Sequence, residues 1–201
     1  MVSGGHTELL RIESDHSFTR LGSTRDDAAG EAFDKVARLL GLPYPGGPPI
    51  SALSEQATEK TLRLPRAWLK GTNDFSFSGL KTAVLNLVKS EDCPEGAEVA
   101  WAFQESVCDV LAKKTANLAR REKVESVLVA GGVAANRRLR DVLQDHIDID
   151  LRIPPPSLCT DNGAMIAAAA FAHRDEAQSP NAALDIEPTA MRKKRLKAKS
   201  A

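Results

Sequence analysis

Two glycine pairs in this 201-residue chain have the setting of an anion cradle. The first lies in Ser3-Gly-Gly-His-Thr7, between an apolar Met1-Val2 and a partly alternating Thr7–Ile12. Strand, small-residue turn, strand is a hairpin whose backbone N–H groups and hydroxyls can wrap an anion. A plain Gly-Gly hairpin turn has the same pattern. The second pair, Gly131-Gly132, ends the apolar run Val127, Leu128, Val129, Ala130. A helical pattern follows at once, with Ala134, Ala135, Leu139, Val142 and Leu143 as its apolar face. Glycines let backbone amides approach a ligand, and a helix N-terminus favours negative charge. An ordinary strand-to-helix turn fits equally well. Three charged side chains stand at points of interest. Asp34 sits near the middle of a helix, Lys81 in the first turn of another, and Asp161 at a helix start where Asp161 or Asn162 is expected as the N-cap.

The elements that must position these residues follow from periodicity. Ala28, Ala29, Ala32, Phe33, Val36, Ala37, Leu39 and Leu40 predict a helix over Asp26–Gly41, with Gly41 as its stop. Pro43-Tyr-Pro-Gly-Gly-Pro-Pro49 predicts a rigid loop, and a second helix runs from Ser51 to about Lys60. Asp74-Phe-Ser-Phe-Ser78 alternates, sending Phe75 and Phe77 to one side, before a helix over Leu80–Val88. Ala97–Glu122 reads as a long amphipathic helix, carried by Ala100, Phe103, Val107, Val110, Leu111, Thr115 and Leu118. A strand at Val124–Ala130, a helix to about Asp145, a short strand at Leu151–Ile153 and an alanine-rich helix ending near His173 complete the pattern.

Composition sets outer limits. Hydrophobic content of 42% and charged content of 27% are those of an ordinary globular protein, and 4% aromatics imply an aliphatic core. There is no apolar run of about 20 residues, so no membrane span is expected, and no signal peptide is read at the N-terminus. Cys93, Cys108 and Cys159 are scattered without CxxC spacing, as in a cytoplasmic protein with reduced thiols. Net charge is zero. Yet Arg192, Lys193, Lys194, Arg195, Lys197 and Lys199 crowd the end of the chain without an acid. Residues 175–201 are therefore expected to be a disordered basic tail, solvated or acting as a nonspecific nucleic-acid arm.

Six blocks, in order, resemble the TsaD family of tRNA N6-adenosine threonylcarbamoyltransferases. They are Val2-Ser-Gly-Gly-His-Thr7, Asp26-Asp-Ala-Ala-Gly-Glu-Ala-Phe-Asp-Lys35, Tyr44-Pro-Gly-Gly-Pro48, Asp74-Phe-Ser-Phe-Ser-Gly-Leu-Lys-Thr82, Ala130-Gly-Gly-Val-Ala-Ala-Asn136 and Cys159-Thr-Asp-Asn-Gly-Ala-Met165. The resemblance implies an α/β, actin-like ATPase (ribonuclease H-like) fold. It is incomplete, lacking most of the N-terminal lobe, with helical insertions, and residues 1–174 form its C-terminal portion. It also implies an enzyme that moves the threonylcarbamoyl group of threonylcarbamoyl-AMP to N6 of the adenosine 3′ of the anticodon, in tRNAs reading codons that begin with A. Substrate contacts then fall on Met1, Val2, Ser3, Gly4, Gly5, Asp34, Gly47 and Asn136. Met1 stands where the family has an aliphatic residue. One divalent metal, iron or zinc, is implied, with Asp161 as a ligand. The implied partners are tRNA and either TsaB-like and TsaE-like proteins or KEOPS subunits.

One departure matters. The family's other metal ligands sit on a His-x-x-x-His helix in a preceding domain. His6, His16, His146 and His173 contain no such pair. The chain is expected to be inactive alone. Two alternatives are a noncatalytic nucleotide-binding remnant that acts through partners, and a metalloendopeptidase, which the absence of H-E-x-x-H disfavours.

Overall fold

The chain enters extended and turns back on itself. Val2 pairs with Thr7 across the Ser3–His6 turn, and β1 (Glu8–Ile12) continues as an antiparallel partner of β2 (Phe18–Ser23). The pairing shifts between Leu9 and Leu10, which face Gly22 and Arg20, leaving Leu21 as the extra residue of a bulge. The computed structural model describes residues 1–14 and 17–176. It divides into two compact units, Met1–Asp161 and Asn162–Ala201. His16 and most of the basic tail, from residue 177 on, lie outside the described residues.

Helix α1 (Ala29–Leu39) buries Ala29, Ala32, Phe33, Val36 and Ala37, the face its spacing predicts. Neither Asp26 nor Asp27 caps it. The Thr7 hydroxyl, from the opening hairpin, accepts the Ala29 N–H at 2.8 Å. Gly41, at φ +69°, ends the turn beyond it. Asp26 is used elsewhere: its carboxylate takes the Ser76 and Ser78 hydroxyls and the Phe77 and Ser78 N–H groups. That locks the start of α3 (Ser78–Val88). Phe75 and Phe77 are both buried with rings stacked 6.2 Å apart. Only Phe75 makes a strand contact, a parallel bridge to Thr24.

The second helix starts earlier and ends earlier than its sequence reading. It is α2, Gly47–Ser54. Pro48 and Pro49 fall in its first turn, where no backbone donor is needed. It cannot run on to Lys60, because the N–H groups of Thr58, Glu59 and Lys60 all turn onto the Glu98 carboxylate.

Helix α4 (Gly96–Glu122) is the spine. Ala100, Phe103, Val107, Val110 and Leu111 are buried, and Phe103 meets Phe33 edge-on at 5.1 Å. The Lys114 ammonium, nearly buried, donates to the carbonyls of Leu69, Thr72 and Asp74 and so holds that loop to the spine. After α4, β3 (Ser126–Leu128) pairs parallel with β4 (Asp150–Arg152). Between them lies α5 (Arg137–His146). It does not start directly at the glycines: a 3-10 turn over Gly132–Ala135 comes first, and Asn136 breaks out of it to cap α5. The second unit contains α6 (Gly163–Ala172), N-capped by Asn162, one of the two cap residues expected there, and a 3-10 turn over Arg174–Glu176.

Candidate functional site

The two glycine turns, well over a hundred residues apart in sequence, are joined through Val2. The Val2 N–H donates to Ala130 O at 2.7 Å, and the Val133 N–H donates to Val2 O at 3.2 Å. Gly131 passes this junction at φ +106°, where a Cβ would stand 2.3 Å from the Val2 carbonyl oxygen. Only glycine fits there. Ser3 closes its own turn, giving its N–H to His6 O and taking the His6 N–H on its hydroxyl. Its carbonyl accepts the Gly30 N–H at 3.1 Å, so α1 starts directly against the turn. Gly4 and Gly5, at the tip, have nothing within 4 Å of a would-be Cβ. Their N–H groups make no hydrogen bond among the described residues.

Asp34 lies one helical turn beyond Gly30, on the same face of α1. One of its oxygens accepts the Gly46 N–H at 2.7 Å. The other has no hydrogen bond among the described residues. Gly46 is wedged against α1, which places Gly47 at the first turn of α2 beside Asp34. A carboxylate held by one oxygen, with the other open, suits a hydroxyl donor such as a ribose.

Asn136 is engaged on every side. Its Oδ1 accepts the Leu139 N–H at 2.9 Å. Its Nδ2 donates to Gln104 Oε1 at 2.8 Å and to Ser51 Oγ at 3.1 Å. Gln104 also takes the Ser51 hydroxyl and gives its own amide to Ser54. This network ties α2, α4 and α5 together. Cys108 lies 3.9 Å from the same Oδ1, and burial pushes its thiol well above the usual range, so it faces Asn136 as a neutral S–H. Gln104 and Ser51 did not stand out in the sequence. The available signal was a glutamine on the buried face of α4, at helical spacing from Ala100, Phe103, Val107 and Leu111.

Met1 and Val2 lead into the turn, with their backbone groups already bonded to Glu8, Ala130 and Val133. Asp161 is exposed. The loop before it is pinned by Arg140, whose guanidinium reaches Ala134 O, Pro154 O and Cys159 Sγ. That brings Thr160 within 4.0 Å of a Cβ built at Gly132. Among the described residues no three His, Cys, Asp or Glu side chains are grouped to hold a metal ion. The residues present do not by themselves fit the implied metal, since a catalytic site takes about three protein ligands. Nor, among the described residues, is any helix long and apolar enough to cross a membrane.

Parallel strands ending in a glycine turn, a glycine hairpin bonded to that turn, and a helix carrying Asp34 beside the hairpin are those of an α/β protein of actin-like fold. Two solved structures share this fold. HypF of T. kodakarensis aligns with a TM-score of 0.56 at 16% identity, covering 80% of this chain and 21% of that one. Component A of the (R)-2-hydroxyglutaryl-CoA dehydratase of Acidaminococcus fermentans aligns with a TM-score of 0.52 at 17% identity, covering 88% and 61%. The sequence narrows this further. A family profile, TsaD, tRNA N6-adenosine threonylcarbamoyltransferase, matches residues 1–168, and the chain belongs to that family. It is 54% identical over 198 residues to the tRNA N6-adenosine threonylcarbamoyltransferase of Geobacillus thermodenitrificans, covering 94% of this chain and 57% of the relative. The enzyme of the same name from Dehalococcoides mccartyi is 48% identical over 187 residues, with 93% and 57% covered. The chain thus spans somewhat over half the length of these relatives.

Proposed function

We propose that this chain forms the adenylate-binding wall of a tRNA N6-adenosine threonylcarbamoyltransferase, and that it acts only when the remaining length of the relatives is supplied. The observation that carries this reading is the open Gly4-Gly5 turn, with two uncommitted amides, set against a helix that carries Asp34. The amides suit the phosphate of threonylcarbamoyl-AMP, and the free oxygen of Asp34 suits a ribose hydroxyl. Gly47 borders the same face. Asn136 acts at one remove, fixing α2 and α5 around the turns.

In the transfer, the N6 amine of the tRNA adenosine attacks the carbamoyl carbon. The bond from that carbon to the phosphate oxygen breaks, AMP leaves, and the amine loses a proton. Backbone amides at the phosphate stabilise the charge that gathers on the leaving group. The exocyclic amine is a weak nucleophile, so holding it in line with the carbonyl supplies much of the acceleration. Asp161 offers at most one ligand to a metal, and no step here runs through one. Partners of the TsaB and TsaE type, or KEOPS subunits, and a cytoplasmic setting belong to this proposal.

The test has two parts. Calorimetric titration with AMP should show binding by the chain alone. Modification of tRNA by threonylcarbamoyl-AMP should be absent for the chain alone and appear when the N-terminal part of a relative is added. Binding without turnover in any combination would favour the noncatalytic remnant; no binding and no turnover would overturn the proposal.

A further inference from the structure

Between α2 and α3, the chain from Thr58 to Asn73 has neither helix nor strand. Irregular segments of this length inside a compact unit are uncommon and usually carry function. This one is firmly anchored. The Thr58, Glu59 and Lys60 N–H groups lie on the Glu98 carboxylate. Further on, the Leu64 carbonyl accepts the Ser106 hydroxyl, and Arg66 Nε donates to Asp109 Oδ2. The Lys114 ammonium then holds the carbonyls of Leu69, Thr72 and Asp74. These anchors advance along α4 from Glu98 to Lys114, about 24 Å of helix at the usual rise. The segment is a strap laid along the spine, and a merely solvated loop needs no such row of anchors.

Its charge is one-sided. The chain as a whole matches 27 Lys and Arg with 27 Asp and Glu, yet from Lys60 to Asn73 it carries Lys60, Arg63, Arg66 and Lys70 and no acid. Arg66 is spent on Asp109. Lys60, Arg63 and Lys70 are exposed and make no ion pair among the described residues. The Arg63 guanidinium lies over the Trp101 ring, 5.5 Å from its centroid, and Nη1 donates to the Lys60 and Leu62 carbonyls. Its Nε and Nη2 make no hydrogen bond among the described residues, and that edge of a guanidinium matches two phosphate oxygens at once. Trp68, between Arg66 and Lys70, is 40% exposed. Cations interleaved with an exposed aromatic suit a nucleic-acid strand, which offers phosphates and stacking bases together. We propose that the strap is an RNA-binding surface, its free cations set against the phosphates of the tRNA substrate. Naming RNA as the polyanion rests on the transferase reading above. None of the strap's hydrogen bonds reaches the glycine turns or Asp34, so it holds RNA outside the adenylate cradle.

Fluorescence anisotropy of a labelled anticodon stem-loop RNA, measured with the full chain over a range of salt, tests this. Lys60→Gln, Arg63→Gln and Lys70→Gln together should weaken binding about tenfold at about 100 mM salt and lower the log–log salt slope by about two. Arg63→Lys alone keeps the charge and loses the two-pronged edge, so binding should weaken about threefold with the slope unchanged. Lys89, Lys123 and Arg152 are exposed and off the strap. Changing those three to Gln should alter affinity less than about twofold. The basic residues at the end of the chain are common to every variant and cancel. AMP titrated against the strap variant should bind as in the parent, which separates the two readings. RNA loss on the strap with no AMP binding in any chain would keep the strap and overturn the adenylate cradle. Equal RNA losses from both triple changes would reduce the effect to net charge and overturn the strap. An unchanged slope in the strap variant would do the same. Strap-dependent binding to phosphatidylserine vesicles, with RNA affinity unaltered, would assign the surface to a membrane and overturn RNA as its partner.

Discussion

Gly131 and Gly4 flank the same short segment, Val2–Ser3, yet they are opposite kinds of glycine. At Gly131 the backbone is left-handed and a Cβ would strike a carbonyl oxygen; at Gly4 the φ is not positive and a Cβ would meet nothing. The first glycine lets two chain segments touch. The second keeps a surface clear for something that is not protein. The polar residues divide the same way. Asn136 has spent its hydrogen bonds on Leu139, Gln104 and Ser51, whereas Asp34 has committed one oxygen and kept the other. Residues that look equivalent as motif letters thus separate into those that build the wall and those that face its ligand.

The sharpest way to break this division is Gly131→Ala. Strained backbone and a backbone clash together should cost about 3 kcal/mol or more, seen as a fall in Tm of roughly 10 °C or a matching shift in denaturant midpoint. A loss below about 1 kcal/mol would mean that the turn relaxes and that Gly131 belongs with Gly4. Asn136→Ala comes next. It removes an N-cap and takes one of two donors from the buried Gln104 amide oxygen, which keeps the Ser51 hydroxyl, for an expected loss of about 2 kcal/mol. Asn136→Ser keeps a capping oxygen and should recover about half of it. If Asn136→Ala instead abolished AMP binding at unchanged stability, Asn136 would be a ligand contact and not a brace.

Much of this was legible in the chain itself. The apolar spacing of α1 and α4 is long and regular, so a single helix satisfies it, and both glycine pairs sit where strand gives way to turn. What stayed hidden depends on distant partners. Glycine carries no mark of whether a carbonyl lies 2.3 Å from its missing Cβ, because that carbonyl is on Val2. Asn136 is a cap by local rules, but its ties to Gln104 and Ser51 exist only once α2 and α4 are in place. The end of α2 is set by Glu98, some forty residues on. β2 went unread, since Phe18–Ser23 alternates weakly and its first three residues are exposed.

Asp26 offers a smaller test with a pH signature. Burial pushes its carboxyl up, but the Ser76 and Ser78 hydroxyls and the Phe77 and Ser78 amides outweigh this and hold it below its ordinary value of 3.8. A carboxyl lowered by folding adds stability at pH above that ordinary value, and the contribution is lost as pH falls through the lower, folded value. Asp26→Asn should therefore lower Tm at pH 7 and narrow the drop in Tm between pH 7 and about pH 2.5. An unchanged acid limb would show that Asp26 does not act through its charge. It would then be a poor example of a motif residue whose task is to hold the wall.

The smallest expected change in stability is the most telling for function. Gly4→Ala adds a methyl group where nothing stands within 4 Å and where φ suits any residue. Its stability should match the parent to within about 0.5 kcal/mol. That methyl, however, stands beside the two open amides, in the space a phosphate must enter. Calorimetric titration should show AMP binding weakened about tenfold, close to 1.4 kcal/mol, with the unfolding curve superimposable on the parent's. Gly131→Ala should do the reverse, lowering stability first and affinity only through loss of the fold. Parent-like AMP affinity in Gly4→Ala would place the ligand elsewhere, and unfolding comparable to Gly131→Ala would erase the distinction between the two glycines.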